Sequence, residues 1–172
     1  MKLILVSGSN DSGKSLFAEE LISRFDGCRY YIATMKPHTE ENHQRIEKHR
    51  RQREHLHFDT LELPYEVSSA PLEADSAVLL EDVSNLLANV VFEKQGSAAA
   101  VLEDILRLKE RCQLLVAVTI SGYREEDYDG ETAAYIQALN NINRQLFLAA
   151  DIAYEMNNRQ AFCVKGEDHA HS

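Results

Sequence analysis

Residues 8–15 read GSNDSGKS, which fits the phosphate-binding pattern G-x-x-x-x-G-K-S/T. The pattern predicts such a loop only where a strand precedes it and a helix follows it. The run KLILVS at 2–7 is typical of a strand buried on both faces, and apolar residues recur at helical spacing over 15–25. Both flanks therefore favour a phosphate-binding loop over the alternative, a Gly/Ser turn that matches the pattern by chance.

The loop residues have separate predicted roles in binding a nucleoside triphosphate. Gly8 and Gly13 permit close approach of the backbone, whose amides and following helix then face the phosphates. Lys14 would reach the β- and γ-phosphates, and the Ser15 hydroxyl would ligate Mg²⁺. The nucleotide-binding candidates in the loop are Gly8, Ser9, Asn10, Asp11, Ser12, Gly13, Lys14 and Ser15.

Buried strands alternate with helical segments along the rest of the chain. Strands are predicted at 2–7, 30–34, 59–63, 76–82 and 113–120, and helices at 15–25, 40–56, 84–94, 97–111 and 131–149. Two alternating runs around Asn157-Asn158 predict a C-terminal hairpin. The order is typical of an α/β protein like the P-loop NTPases, with a mainly parallel central sheet and helices on both faces. We expect one domain over 1–166 and a disordered tail over 167–172.

Composition narrows the class of protein. The 172 residues carry a formal net charge of −10, which argues against nucleic acid as the main partner. No apolar stretch reaches the length of about 18 residues that suggests a membrane span, and we recognise no signal peptide. Three scattered cysteines without C-x-x-C spacing indicate a reduced, cytoplasmic protein.

A basic segment at 43–57, HQRIEKHRRQREHLH, interrupts this acidic chain. A helix over 40–56 would place Arg45, His49 and Arg53 on one stripe. A neutral imidazole is a competent nucleophile toward an α-phosphate, and neighbouring guanidiniums favour that neutral form and suit phosphate oxygens. The alternatives are a solvated, charge-rich helix face and an exposed histidine without a catalytic role.

The predicted strand at 76–82 ends in Glu81-Asp82. In such folds the second carboxylate near the Mg²⁺ lies at the end of a central strand. Alternation along a strand puts these two side chains on opposite faces, so that one of them would serve the metal. The alternative is a strand-end acidic pair that faces solvent.

Other motifs decide between classes of phosphate-loop protein. The guanine-binding N-K-x-D of GTPases is absent, and 127–130 (DYDG) fits D-x-x-G only within an acidic loop. A small kinase or nucleotidyltransferase is therefore favoured.

Four segments carry a resemblance to a known family. They are YIAT at 31–34, the spacing of Glu41, Arg45, Ile46, His49, Arg50 and Arg53, then FDTLELP at 58–64, and VLLEDVSNLLAN at 78–89. With the Gly-rich loop they resemble the adenosylcobinamide kinase / adenosylcobinamide-phosphate guanylyltransferase family of cobalamin synthesis, in which Glu81 stands for an Asp and Asp82 for a Cys.

The resemblance implies two reactions at one nucleotide site. A nucleoside triphosphate, GTP or ATP, phosphorylates adenosylcobinamide; GTP then guanylylates a histidine, which passes GMP to the phosphorylated corrinoid. The matching histidine is His49, a catalytic candidate with Lys14. The resemblance further implies a homo-oligomer, a trimer, with Ser15 and Glu81 on Mg²⁺ and nucleotide contacts from Ala33, Thr34, Arg45, Arg50, Arg53, Glu62 and Glu81.

The C-terminal third departs from the family pattern. TISGYREEDYDG at 119–130 replaces N-E-V-G-x-G-I-V-P, and NNRQAF at 157–162 replaces a G-I-P-like stretch. In the family the missing region helps to shape the corrinoid side of the site. A kinase or nucleotidyltransferase with another acceptor, and a nucleotide-sensing protein with little turnover, therefore remain alternatives.

Overall fold

Strands and helices alternate along the chain, of which the computed structural model describes residues 1–36 and 40–168, without the side chains of Gln52 and Arg53. The strands are β1 (Lys2–Gly8), β2 (Cys28–Ala33), β3 (Asp59–Glu62), β4 (Ser76–Glu81), β5 (Leu114–Ile120), β6 (Ile152–Asn157) and β7 (Gln160–Lys165). The helices are α1 (Lys14–Ser23), α2 (Glu40–Arg53), α3 (Val83–Ala88), α4 (Ala98–Glu110) and α5 (Gly130–Ala149).

The strands form one sheet in the order β3-β2-β4-β5-β1-β6-β7. Neighbouring strands are parallel except for β7, which pairs antiparallel with β6. The predicted α/β class, the mainly parallel sheet and the C-terminal hairpin are thus confirmed. β1 lies inside the sheet between β5 and β6.

Helices cover both faces of the sheet, because successive side chains of the buried strands point to opposite sides. In β1, Leu3 and Leu5 belong to a core shared with α3, α4 and α5, whereas Ile4 and Val6 belong to a core shared with α1. The continuous apolar runs of the strands therefore supply two cores. None of the helices in the described part of the chain has the length and apolar character that crossing a membrane requires.

Two predicted helices differ from the structure. The helix predicted over 40–56 ends at Arg53, and a 3₁₀ turn covers Glu54–Leu56. The helix predicted over 84–94 is α-helical only over Val83–Ala88 and continues as a π turn over Asn89–Glu93. At its end the Val90 carbonyl accepts hydrogen bonds from the amides of both Lys94 (3.2 Å) and Gly96 (2.9 Å), and the helix stops there.

The hairpin turn lies one residue later than the Asn157-Asn158 signal. Asn157 pairs with Gln160, so the two turn residues are Asn158 and Arg159, with left-handed φ values of 49° and 65°. Of the tail predicted over 167–172, Asp168 is described and accepts a hydrogen bond from the Tyr154 hydroxyl at 3.1 Å. Residues 169–172 lie outside the described residues.

Candidate active site

The phosphate loop joins β1 to α1 at the carboxyl edge of the sheet. Gly13 has a left-handed φ of 89° immediately before α1 begins at Lys14. A Cβ on Gly8 would lie 2.6 Å from Ser12 Oγ and 3.0 Å from the Met156 carbonyl oxygen. Glycine at position 8 therefore lets the loop fold back tightly against β6, although Gly8 itself does not line the cleft described below.

Lys14 is held inside this loop. The residue is only 9% exposed, and its Nζ donates a hydrogen bond to the Ser9 carbonyl at 2.6 Å. Burial lowers the pKa of the Lys14 amine, while the carboxylates of Asp82 and Glu81 oppose that shift. The backbone carbonyl of Ser9 thus positions the Lys14 amine within the loop.

Glu81, at the end of β4, faces the first turn of α1. Its carboxylate accepts hydrogen bonds from the Ser15 hydroxyl and, at 2.9 Å, from the Tyr31 hydroxyl. Hydroxyl and carboxylate oxygens are the ligands that Mg²⁺ takes in proteins, so the Ser15–Glu81 pair has the chemistry of a magnesium site. The structure therefore brings together the two residues that the sequence nominated for the metal.

Asp82 also lines the cleft, but its carboxylate has a structural role that differs from that of Glu81. Its carboxylate caps α3 by accepting hydrogen bonds from the Asn85 amide and the Ser84 hydroxyl, each at 2.7 Å. Removal from water raises the pKa of this carboxyl group, against the lowering effect of those two hydrogen bonds. Of the pair at the strand end, Glu81 is the residue in contact with Ser15.

Helix α2 contributes the basic side of the site. Arg45 and His49 line the cleft with the loop, one helical turn apart. His49 Nδ1 is buried and has no hydrogen-bond partner among the described residues. By contrast, Arg50 does not reach the cleft: its Nη2 lies 3.2 Å from Oε1 of Glu62, and both side chains are exposed. The Arg53 side chain lies outside the described residues.

The cleft has a volume of about 600 Å³. Predicted site residues that line it are Asn10, Asp11, Ser12, Gly13, Lys14, Ser15, Ala33, Arg45, His49 and Glu81. Those that do not are Gly8, Ser9, Thr34, Arg50 and Glu62. Thr34 is fully buried, and its hydroxyl donates to the carbonyl and accepts from the amide of Asp82, each at 2.9 Å, so it fixes the end of β4 instead.

Several lining residues were not nominated as site residues from the sequence. They are Leu16, Tyr31, Met35, Glu41, Ile46, Asn85, Ile120 and Arg159; Asp82, the other carboxylate considered for the metal, also lines the cleft. Glu41, Tyr31 and Ile46 lay within the quoted motifs, and alternation along β2 with Ala33 would have placed Tyr31 on the same face. Arg159 could be found only by knowing that β6 pairs with β1, which puts the hairpin turn beside the loop.

Comparison with known proteins supports the fold and confirms the family that the sequence resembles. The chain aligns with a protein from Pyrococcus horikoshii OT3 at 11% sequence identity and a TM-score of 0.51, over 98% of this chain and 88% of that one, a likeness of fold alone. No curated protein matches the sequence. The model of the family described as cobinamide kinase / cobinamide phosphate guanyltransferase matches residues 4–159. Because that match spans most of the chain, the protein belongs to this family of nucleotide-dependent transferases of cobalamin biosynthesis.

Proposed function

We propose that the protein is bifunctional: it phosphorylates adenosylcobinamide and then transfers GMP to the product through a guanylylated His49. The observation that carries the proposal is that His49 lines the same cleft as the phosphate loop, with a buried Nδ1 that has no partner among the described residues. Ser12 Oγ, a loop atom, is likewise buried and has no hydrogen-bond partner in the part of the chain that the structure describes. Buried polar atoms in native proteins are nearly always paired, so two unpaired ones at one cleft suggest a polar ligand.

Binding of the triphosphate falls to the loop. Its amides, Lys14 Nζ and the start of α1 face the β- and γ-phosphates and favour negative charge there. Ser15 and Glu81 would hold Mg²⁺, which supplies charge neutralisation at the phosphates when bound. In the kinase step these groups orient the γ-phosphate for attack by the corrinoid hydroxyl, and no histidine nucleophile is required.

The guanylyl step needs a nucleophile at the α-phosphate, and His49 has the chemistry for it. A neutral imidazole nitrogen attacks phosphorus, the bond to the bridging oxygen breaks, and pyrophosphate leaves. Arg45, one turn away, adds a guanidinium that suits phosphate oxygens. We further propose that GMP then passes to the phosphorylated corrinoid, and that the enzyme acts as a homo-oligomer, a trimer.

One observation favours a second candidate function, in which the phosphate acceptor is a molecule other than adenosylcobinamide. Residues 121–130, SGYREEDYDG, follow β5 where the family pattern has a Gly-rich stretch, and they carry four acidic side chains between Glu125 and Asp129. A divergent acceptor would use the same nucleotide chemistry. Assaying the kinase step with γ-labelled GTP or ATP and adenosylcobinamide separates the two candidates, because only the first requires label on the corrinoid.

The test of the guanylyl step is covalent labelling. Incubation with α-labelled GTP and Mg²⁺ should leave label on the protein through a phosphoramidate, which is labile in acid and stable in alkali. His49→Ala should abolish the label while GTP affinity stays within about threefold, because the loop rather than His49 binds the β- and γ-phosphates. His43→Ala, an exposed histidine of the same helix, is the matched control and should label normally.

The outcomes divide clearly. Label that survives His49→Ala would place the nucleophile elsewhere. A native protein that binds GTP tightly but takes no label would reduce the proposal to the kinase or to a nucleotide sensor.

A further inference from the structure

The turn of the C-terminal hairpin brings an arginine to the phosphate loop. The Arg159 amide donates a hydrogen bond to the Ser12 carbonyl at 3.1 Å. A Cβ on Gly13 would lie 3.4 Å from Arg159 Cα and 3.5 Å from its Cγ, so the two backbones are in close contact. The position of Arg159 is thus fixed relative to the loop through the backbone and does not depend on its side chain.

The Arg159 side chain is exposed and lines the cleft. Among the described residues, its guanidinium has no hydrogen-bond or ion-pair partner. Lys14, Arg45 and Arg159 are the cations among the described lining residues, against the carboxylates of Asp11, Glu41, Glu81 and Asp82. A triphosphate entering this cleft therefore meets few cations, and Arg159 is one that no protein group already occupies.

The sheet order sets where this cation lies. β6 flanks β1 on one side, whereas β5, β4 and β2 follow on the other, and α2 with His49 comes directly after β2. Arg159 and His49 therefore flank the phosphate loop from opposite sides. A polyphosphate whose α-phosphate faces His49 would extend its other end toward Arg159.

We propose that Arg159 binds the β- and γ-phosphates of GTP and holds them as pyrophosphate when His49 is guanylylated. The proposal rests on the proposed function. As the bond from His49 nitrogen to the α-phosphorus forms, the bond from that phosphorus to the bridging oxygen breaks and its electron pair stays on pyrophosphate. The imidazole proton goes to solvent. Arg159 would contact the oxygens on which this negative charge increases.

The Arg159 side chain could also extend into a cavity other than the cleft. It borders a second cavity of about 440 Å³ between α1 and β7, lined by the rings of Phe17 and Phe162 and by the carboxylate of Glu20. A guanidinium turned that way would stack on a nucleobase or pair with Glu20 instead of binding phosphate. The experiment has to separate these roles.

Binding of inorganic tripolyphosphate, GTP and GMP, each with Mg²⁺, is measured by calorimetry for the native protein and for three variants. Arg159→Ala should raise the Kd of both tripolyphosphate and GTP by about tenfold or more and leave that of GMP within about twofold. Arg159→Lys should recover part of the loss, because it keeps the charge without the fork. Arg24→Ala, an arginine at the second cavity but not at the cleft, is the control and should bind like the native protein.

Two results would overturn the inference alone. One is an Arg159→Ala protein that binds tripolyphosphate like the native protein. The other is loss of GTP affinity with tripolyphosphate unchanged, which would assign Arg159 to the base. A native protein that binds neither ligand and takes no label on His49 would overturn the proposed function as well. Thermal unfolding midpoints serve as the folding control, since the bond from the residue-159 amide to Ser12 survives the substitutions.

Discussion

Helices α1 and α2 both line the cleft, yet they are attached to the molecule in opposite ways. In α1, Ala18 and Ile22 are fully buried and join the core on one face of the sheet. In α2, no described side chain is fully buried, and Ile46 is the only aliphatic residue. Contacts that attach α2 to the rest of the chain include a hydrogen bond from Asn42 Nδ2 to the Lys36 carbonyl at 3.2 Å and the exposed Arg50–Glu62 pair.

The difference fits the two roles proposed for these helices. A phosphate-binding loop must present its amides in a fixed geometry, so it benefits from a helix anchored in a core. A nucleophile that acts on a bound nucleotide can sit on a helix with few buried contacts, because the ligand itself supplies contacts to that helix. We therefore expect α1 to be ordered before the nucleotide binds and α2 to be stabilised by the nucleotide.

The largest effect should come from α1. Lys14→Ala removes the buried cation of the loop and should weaken GTP binding by about 100-fold or more, measured by calorimetry with Mg²⁺. Lys48→Ala, an exposed lysine of α2, is the control and should change affinity by less than about threefold. Unchanged affinity in the Lys14 variant would mean that the loop is not the nucleotide site.

The next largest effect should come from substitution at the contact between α1 and β4. Glu81→Gln should slow phosphoryl transfer by about 10- to 100-fold without loss of fold, because a carboxylate ligand is replaced by a neutral amide. Asp82→Asn should cost less, since Asn caps a helix as well as Asp does. If Asp82→Asn proved the more damaging change in the same transfer assay, Asp82 rather than Glu81 would serve the metal.

Hydrogen exchange tests the comparison of the helices directly. Backbone amides in α2 should exchange about tenfold faster or more than those in α1, because few buried contacts oppose local opening of α2. GTP with Mg²⁺ should slow exchange in α2 more than in α1. Equal protection of the two helices in the free protein would show that α2 is anchored as firmly as α1.

The smallest effect should come from the exposed tie of α2. The Arg50 and Glu62 side chains are 53% and 69% exposed, so water screens their attraction. Arg50→Ala should shift the thermal unfolding midpoint by less than about 2 °C and GTP affinity by less than about twofold. A large loss of GTP affinity would instead show that Arg50 contacts the nucleotide, as the family resemblance implies.

The sequence predicted the α1 side of the site almost completely, because a strand, a Gly-rich loop and a helix are local features. It also predicted that Ser15 and Glu81 lie close together, because the carboxyl ends of buried parallel strands share one edge of the sheet. Arg50 and Glu62 were nominated by resemblance alone, and the structure pairs them with each other outside the cleft. Arg159 was missed because its position depends on the pairing of β6 with β1, a contact between distant parts of the chain that no local pattern reports.

The place of β1 in the sheet has a consequence for synthesis on the ribosome. β1 is made well before both of its partners, β5 and β6, and Asp151 joins the Leu3 backbone at 2.9 Å only after β5 is made. At typical translation rates an apolar strand then waits on the order of ten seconds for its neighbours. We expect ribosome-bound chains that end before β5 to be cleaved readily by proteases at β1 or held by chaperones, and chains that extend past β7 to resist.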